Sequence, residues 1–175
     1  MKSSVSSPPI ILLCILLLST SLPLLQSSDL IQQICKKTPF YDLCVSSLTP
    51  QNPITDVKAL ASTITTLVLS NATDTLSYIQ ELIKQGADTQ LQKPLANCAE
   101  LYIPVVKYNL PQAIDALLRG QFGFTSYLLS DAGKQAKDCE KNFSGSDQSP
   151  LTERNKLVSN LCDVAVAILK LLQKG

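Results

Sequence analysis

Hydrophobic residues recur about every 3.5 positions along most of the chain, a pattern typical of amphipathic helices. In the first long segment they are Val57, Leu60, Ile64, Leu67, Val68, Leu76, Ile79 and Ile83. Thr55 is the expected N-cap, and Gly86 is the expected stop. This pattern predicts one long helix that begins after Thr55 and ends before Gly86.

A second helix is predicted from about Gln90 to Arg119, where Gly120 ends it. Its apolar positions are Leu91, Leu95, Cys98, Leu101, Val105, Leu110, Ile114 and Leu117. Pro104 and Pro111 should kink this helix, because a proline removes a backbone donor and crowds the preceding turn.

A third helix is predicted from about Phe122 to Phe143, followed by a polar loop. The fourth should have Ser149 as its N-cap and Pro150 at its first helical position, which is a favoured combination. It continues to about Leu172 with a helical period of apolar residues. Four long amphipathic helices with short connections are expected to pack as an up-down-up-down bundle.

Upstream of the bundle, apolar residues on both sides of the segment from Lys37 to Pro39 predict two short helices that meet at a hinge. The predicted fold class is therefore all-α: a four-helix bundle preceded by an N-terminal helical hairpin. We expect one domain over residues 29–175, with the hairpin at 29–50 and the bundle at 51–175. Sustained alternation of apolar and polar residues, which β-strands require, is lacking.

The N-terminus resembles a secretory signal peptide. Lys2 precedes the apolar run from Ile10 to Leu18, and small residues follow as far as Ser28. The run is too short to span a membrane, which takes about 20 apolar residues. Residues 1–28 are therefore predicted to be a signal peptide, and the mature chain is predicted to be secreted without a membrane span. It would keep about 150 residues, enough for one domain with a sizeable core.

Five of the six cysteines remain once Cys14 leaves with the signal peptide: Cys35, Cys44, Cys98, Cys139 and Cys162. The chain has no histidine, and the cysteines lack the short paired spacings of a zinc site. No CxxC pair is present, so a thioredoxin-type redox site is disfavoured. Structural disulfides are expected in an oxidising compartment, and the odd count leaves one thiol over.

The helical pattern indicates which cysteines meet. Cys98 precedes Gly120 by nearly the same distance as Cys139 follows it, so the two reach similar heights if the second and third helices form a hairpin. Cys35 and Cys44 flank Pro39 and would link the two short helices. Cys162 is then a buried free thiol that packs as a small apolar residue.

The chemistry expected of an enzyme is sparse in this sequence. Without histidine, the commonest general base is missing, and no nucleophile elbow, phosphate loop or EF-hand pattern occurs. We therefore predict no catalytic role, no metal and no cofactor, although helix packing could still pair two carboxylates as in a glycosidase. The formal net charge of +1 gives no support for nucleic-acid binding. Asn71 and Asn142 lie in N-glycosylation sequons.

Two other classes of function are alternatives to a surface-binding protein. A carrier of hydrophobic ligands would need a cavity, whereas the Leu, Ile and Val of the apolar stripes fill space. A storage protein without a binding role is a further alternative.

The chain resembles the plant pectin methylesterase inhibitor and invertase inhibitor family. The matching stretches are ICKKTPFYDLCVSSL, NCAELY, LPQAIDALLRG, DAGKQAKDCEKNF, SPLTERN and LCDVAVAILKLL. The resemblance implies a four-helix bundle with an N-terminal hairpin, and disulfides that join Cys35 to Cys44 and Cys98 to Cys139. It also implies a protein that binds a carbohydrate enzyme one to one and blocks its active-site cleft without catalysis.

The resemblance leaves two targets open. Invertase inhibitors of the family carry a Pro-Lys-Phe tripeptide where this chain has Phe122, Gly123 and Phe124, so only Phe124 matches. The stretches DAG and SPLT resemble invertase inhibitors, whereas LCD around Cys162 resembles pectin methylesterase inhibitors. We favour pectin methylesterase, with acid invertase as the alternative, and the cell wall or apoplast as location, with the vacuole as the alternative.

The candidate partner contact is the segment Phe122 to Phe124, because aromatic residues often anchor interfaces. It is expected in a glycine-containing turn between the second and third long helices. The alternative interpretation is that one or both phenylalanines close the end of the bundle core.

Overall fold

The computed structural model describes residues 28–48, 56–143 and 149–174, and the regular structure in these ranges is helical throughout. The predicted signal peptide lies outside the described residues, apart from residue 28, and stays a prediction. The helices are α1 (residues 28–35), α2 (Tyr41–Leu48), α3 (Val57–Lys84), α4 (Thr89–Pro104), α5 (Leu110–Leu118), α6 (Phe122–Lys141) and α7 (Thr152–Leu172), with a π-helical segment at Val105–Asn109 between α4 and α5.

The predicted all-α bundle is confirmed. The long helices α3, α6 and α7 and the α4–α5 pair surround one hydrophobic core, in which α7 packs against both α6 and α3. The hairpin of α1 and α2 precedes the bundle, and α2 contacts α3 and α7. Core positions include Leu60, Ile64, Leu95, Leu117, Leu129, Leu161 and Ile168, all fully or almost fully buried. Burial of these apolar stripes is the main stabilising term of the fold.

The ends of α3 follow local capping rules. The N-cap is Asp56, whose carboxylate accepts a hydrogen bond of 2.8 Å from the backbone N–H of Ala59. The prediction of Thr55 was therefore wrong: the adjacent Asp56 occupies the cap position. At the other end, Gly86 takes the left-handed conformation (φ 76°), and the N–H of Ala87 donates to the carbonyl of Leu82 at 3.2 Å. This closing turn confirms Gly86 as the stop.

The region predicted as one kinked helix between residues 90 and 119 consists of three segments. Pro104 ends α4, and Pro111 is the second residue of α5. Between them the backbone widens into a π-helical turn, in which the N–H of Leu110 donates to the carbonyl of Val105, five residues back. The wider turn accommodates two prolines that cannot donate to the regular hydrogen-bond ladder.

The start of α7 differs from the prediction. The helix begins at Thr152 with Leu151 as its N-cap, so Ser149 and Pro150 lie in the preceding turn. The Ser149 hydroxyl accepts a hydrogen bond from the N–H of Leu151 and donates one of 3.1 Å to the carboxylate of Glu140. The serine therefore ties this turn to α6 rather than capping α7.

Candidate functional site

The candidate contact residues Phe122, Gly123 and Phe124 form the first helical turn of α6. The reversal comes one step earlier, at Gly120, which has a φ of 74°. The N–H of Gln121 then donates to the carbonyl of Ala116 at 2.8 Å and closes α5. The predicted start of the third helix at about Phe122 is therefore confirmed. The expectation that these three residues lie in a glycine-containing turn between helices was wrong, because Gly120 supplies the left-handed conformation that the reversal requires.

The two phenylalanines have different environments. Phe122 is partly buried and packs against the core, so the alternative interpretation applies to it. Phe124 is 48% exposed, and its solvent exposure leaves it available to a partner. A Cβ atom added to Gly123 would meet nothing within 4 Å, so a side chain at this position would project into open space.

Phe124 forms an aromatic pair with Tyr127, one turn further along α6. Their ring centroids are 6.4 Å apart and their planes differ by 12°. Tyr127 is 66% exposed. Sequence reasoning missed Tyr127, although its i+3 spacing from Phe124 could have indicated that both lie on one helix face. The aromatic pair, Phe124 and Tyr127, is an exposed apolar feature of the kind that marks interaction surfaces.

Two cations close to the reversal at Gly120 have intramolecular partners. Lys58, near the start of α3, donates to the carbonyl of Leu118 at 3.2 Å. Arg119 forms a salt bridge with Asp115 one turn back. Residues 122–129 of α6 contain neither basic nor acidic side chains. The first two turns of α6 are therefore uncharged.

The π-helical segment lies beside the middle of α6. The Asn109 side chain donates a hydrogen bond of 2.6 Å to the carboxylate of Asp131. Tyr108, in the same segment, is 59% exposed. π-helical turns occur frequently at functional sites, and this one adds an exposed tyrosine next to α6. In the sequence, Pro104 and Pro111, seven positions apart, are the signal that indicated an irregularity in this helix.

Both expected disulfides are present, which confirms the predicted pairs. Cys35–Cys44 joins α1 to α2 with Cα atoms 5.5 Å apart, and Cys98–Cys139 joins α4 to α6 with Cα atoms 4.8 Å apart. The fifth cysteine, Cys162, is a buried free thiol. Burial raises its pKa, which keeps the thiol protonated and unreactive.

A buried polar network lies under the C-terminal end of α6. Asn155 is 2% exposed and accepts a hydrogen bond of 2.8 Å from the hydroxyl of Tyr102. Its amide nitrogen donates to the carboxylate of Glu140 at 2.7 Å and to the sulfur of Cys139 at 3.3 Å. Burial raises the pKa of Tyr102 far above its ordinary value, so this hydroxyl stays a donor. The network connects α4, α6 and α7 around the second disulfide.

The two sequon asparagines are partly buried and hydrogen-bonded. Asn71 lies within α3 and donates to the carbonyl of Leu67 at 2.8 Å. Asn142 caps the end of α6, where it accepts from the side chain of Asn97 at 2.9 Å and donates to the carbonyl of Asp138 at 3.0 Å. Glycosylation at either position stays a prediction.

Within the described ranges, no three His, Cys, Asp or Glu side chains gather as metal ligands. None of the helices in these ranges combines the length and apolar character needed to cross a membrane. The fold and the site together define a disulfide-linked helical scaffold that presents an uncharged aromatic surface at one end.

Comparison with known proteins agrees with this class. Residues 29–168 match the family described as plant invertase/pectin methylesterase inhibitor. The "Cell wall / vacuolar inhibitor of fructosidase 1" of Arabidopsis thaliana is 32% identical over 147 residues, covering 83% of this chain and 70% of the relative. The "Pectinesterase inhibitor" of Actinidia deliciosa is 29% identical over 149 residues, covering 83% of this chain and 80% of the relative.

The fold also matches a solved structure, a mutant form of a pectin methylesterase inhibitor from Arabidopsis. The TM-score is 0.73 at 24% identity, and the match covers 81% of this chain and 95% of the other. The chain therefore belongs to the plant invertase/pectin methylesterase inhibitor family, whose members are protein inhibitors and not enzymes.

Proposed function

We propose that this protein inhibits a plant pectin methylesterase by covering its active-site cleft in a one-to-one complex. The observation that carries the proposal is the uncharged first turn of α6, in which the exposed Phe124 stacks on Tyr127. Membership of the family leaves two kinds of target enzyme, invertase and pectin methylesterase, between which the site must discriminate.

The absence of a cation in this turn favours pectin methylesterase over invertase. The family resemblance implies that invertase inhibitors present a lysine at the position of Gly123. An ammonium group there would form charge-assisted hydrogen bonds with the carboxylates of an invertase cleft, which glycine cannot do. Lys58 and Arg119, which lie close to the preceding reversal, have intramolecular partners in the Leu118 carbonyl and the Asp115 carboxylate.

The aromatic pair is proposed as the anchor of the interface. Large aromatic side chains often contribute most of the binding energy of an interface, because they bury much apolar area with few rotatable bonds. Phe124 and Tyr127 are already held against each other. They would therefore lose little conformational entropy on binding.

Acid invertase is the second candidate, and a specific observation favours it. The fructosidase inhibitor of Arabidopsis thaliana is 32% identical to this chain, compared with 29% for the pectinesterase inhibitor of Actinidia deliciosa. Phe124 also matches the last residue of the tripeptide that the resemblance implies for invertase inhibitors.

We further propose that the protein acts in the cell wall, with the vacuole as the alternative. The signal peptide predicted at residues 1–28 and the two disulfides are typical of an exported protein. The Arabidopsis relative carries both locations in its name.

Titration of both enzymes with the purified protein tests the proposal. Pectin methylesterase activity should fall to near zero at about an equimolar ratio, while acid invertase activity stays unchanged. Loss of invertase activity alone would assign the second candidate. If neither activity changes at a several-fold excess, inhibition of these two enzymes is excluded.

A single substitution tests whether the charge at position 123 selects the target enzyme. Gly123→Lys places a cation on an open helical position without a steric clash, and Phe122 keeps its core contact. We expect this variant to gain inhibition of acid invertase, with Gly123→Ala as the matched uncharged control. Equal invertase inhibition by the two variants would show that the charge at position 123 does not select the target.

A further inference from the structure

The asparagines of the two N-glycosylation sequons are bonded differently in the folded protein. A glycan is attached to the side-chain nitrogen of asparagine, where it replaces one of two hydrogens. Asn71 uses this nitrogen for a hydrogen bond of 2.8 Å to the carbonyl of Leu67. Among the described residues this is the only acceptor that the nitrogen has. A sugar can therefore replace the other hydrogen while the bond to Leu67 remains.

The side-chain amide of Asn142 is held on both sides. Its nitrogen donates to two backbone carbonyls of α6 at 3.0 and 3.3 Å, and its oxygen accepts from Asn97 of α4 at 2.9 Å. The next residue, Phe143, is 5% exposed. Cys98 and Cys139, which form the second disulfide, lie beside these contacts. A sugar on this nitrogen would displace bonds that join α4 to α6.

A groove of about 420 Å³ lies next to Asn71, between α2 and α3. The residues that line it carry no charge: they are Ser47 from α2 and Ser62, Thr63, Thr66, Leu67 and Ser70 from α3. Leu67 is the residue whose carbonyl accepts from Asn71, and Ser70 is its neighbour in the chain. The attachment point therefore lies at the edge of an open groove.

The lining of this groove combines apolar and hydroxyl groups. The hydroxyls of Thr63 and Thr66 donate to backbone carbonyls one turn back in α3, each at 3.0 Å. Their methyl groups and the side chain of Leu67 are left as apolar surface, and the serines add hydroxyls. N-acetylglucosamine, the first sugar of an N-linked glycan, has the same combination of an acetyl methyl group, ring C–H groups and hydroxyls.

We propose that the secreted protein carries an N-linked glycan on Asn71 and none on Asn142, and that the first sugar lies in the groove between α2 and α3. The donor is an oligosaccharide on a lipid diphosphate. The nitrogen of Asn71 forms a bond to the anomeric carbon of the oligosaccharide and loses one proton. The bond from that carbon to the diphosphate breaks, and the lipid diphosphate leaves. The signal peptide predicted at residues 1–28 would bring the chain to this donor.

The fold distinguishes the two sequons after the transfer. The transfer takes place on the unfolded chain, so both asparagines are open to it at that stage. A glycan on Asn71 is compatible with the native hydrogen bond of that side chain. A glycan on Asn142 leaves the side chain of Asn97 and two carbonyls of α6 without their partner, so chains that carry it should fail to fold and be retained.

The proposed glycan is remote from the aromatic pair. Lys58, whose ammonium group bonds to Leu118 at the end of α5, marks the level of the first turn of α6 on α3. Asn71 follows Lys58 by thirteen residues, which is about 20 Å along a helix. The modification therefore does not depend on inhibition of any enzyme.

Mass spectrometry of the protein secreted by plant cells, produced from the full chain with its own N-terminal segment, tests the proposal. The secreted protein should carry one glycan. A peptide N-glycosidase that accepts plant glycans should convert Asn71 to aspartate and leave Asn142 unchanged. Secreted protein without a glycan, or with one on Asn142, would overturn the proposal, and so would full chain that stays in the cell unmodified.

Matched variants locate the modification. Asn71→Gln should be secreted without a glycan, whereas Asn142→Gln should keep a glycan of unchanged mass. Thr73 is exposed, so changes to it test the sequon without disturbing the core. Thr73→Ala should lose the glycan, and Thr73→Ser should keep it. A glycan that persists in Asn71→Gln or in Thr73→Ala would contradict the assignment.

Nuclear magnetic resonance of protein trimmed to a single N-acetylglucosamine tests the position of the sugar. Nuclear Overhauser contacts should join its acetyl methyl group to Ser47, which lies on α2 and is far from Asn71 in sequence. The amide of Tyr127 should keep the chemical shift that it has in Asn71→Gln. A sugar on Asn71 without any contact to α2 would overturn the placement in the groove.

Discussion

The two ends of α6 have opposite environments. At its N-terminal end, Phe124 and Tyr127 are exposed and stacked, and Gln121 makes no side-chain capping hydrogen bond. At its C-terminal end, Cys139 is fully buried in a disulfide to Cys98, and the adjacent Glu140 accepts hydrogen bonds from α7 and the turn before it. The C-terminal end of the helix is covalently linked to α4, whereas the N-terminal end packs Phe122 inward and exposes two aromatic rings to solvent.

This difference has a physical consequence for binding. The disulfide and the buried network hold the C-terminal end of α6, and burial of Thr125 and Leu129 holds the turns that carry the exposed rings. The aromatic pair can then bind a partner without the cost of first ordering the backbone. We expect changes at the C-terminal end of α6 to alter stability, and changes at the N-terminal end to alter binding.

The largest effect is expected from removal of the disulfide at the fixed end. The double variant Cys98→Ala, Cys139→Ala should lose about 4 kcal/mol of unfolding free energy, because the bond closes a long loop in the unfolded chain. Cys35→Ala, Cys44→Ala is the matched control and should lose about 2.5 kcal/mol, because its loop is shorter. Urea unfolding measures both. Equal or reversed losses would contradict the assignment of the C-terminal end as the main anchor.

A smaller loss is expected when the buried network is broken. Asn155→Ala leaves the Tyr102 hydroxyl and the Glu140 carboxylate without a partner that they have in the folded protein. The unfolding free energy should fall by about 2 to 3 kcal/mol. Asn160→Ala, one turn along and partly exposed, should change it by less than about 0.5 kcal/mol. Similar values for the two variants would mean that the network contributes nothing specific.

Two glycines of α6 provide a direct test of packing along the helix. A Cβ atom at Gly133 would lie 3.0 Å from the Cβ of Cys162, whereas one at Gly123 would meet nothing within 4 Å. Gly133→Ala should therefore lose about 1 kcal/mol net, because overpacking exceeds the gain in helix propensity. Gly123→Ala should gain about 0.5 kcal/mol. Thermal unfolding would contradict this if Gly133→Ala proved the more stable variant.

The smallest effect concerns acid stability at the C-terminal end of α6. Hydrogen bonds from Lys134 and Lys141 lower the pKa of Asp138 below its ordinary value of 3.8. The folded state therefore binds this proton less readily than the unfolded state, and the resulting stability is present above pH 3.8 and lost as pH falls below it. Asp138→Asn should lose less stability between pH 6 and pH 3 than the unmodified protein.

The control for acid stability is Asp74→Asn. Asp74 is exposed on α3 and forms no salt bridge within the described ranges. Urea unfolding of this variant at both pH values should show the same acid loss as the unmodified protein. If Asp138→Asn retains the full acid loss, the two lysines do not stabilise the charged carboxylate.

The features that follow local rules were predictable from the sequence. Gly86 and Gly120 take the left-handed conformation that ends a helix, and both stops were predicted. The disulfides were predictable because helical rise alone brings Cys98 and Cys139 to similar heights. Thr55 and Asp56 are both good caps, so propensity could not choose between them.

The features that depend on tertiary contacts were not predictable. Ser149 has the pattern of an N-cap, but its hydroxyl donates to Glu140 of another helix. Several backbone conformations can accommodate two nearby prolines. The π-helical turn depends on tertiary contacts such as the hydrogen bond from Asn109 to Asp131. Sequence periodicity places a residue on a helix face, but it does not identify the residue that it meets.

The inhibition constant of Phe124→Ala against pectin methylesterase tests the central claim most directly. Loss of the anchoring ring should raise this constant about thirtyfold while the unfolding free energy stays within about 0.5 kcal/mol. Leu157→Ala, a change to an exposed leucine on α7, is the matched control and should leave the constant within about twofold. Potent inhibition that is unchanged in Phe124→Ala, or lost equally in Leu157→Ala, would contradict binding through the first turn of α6.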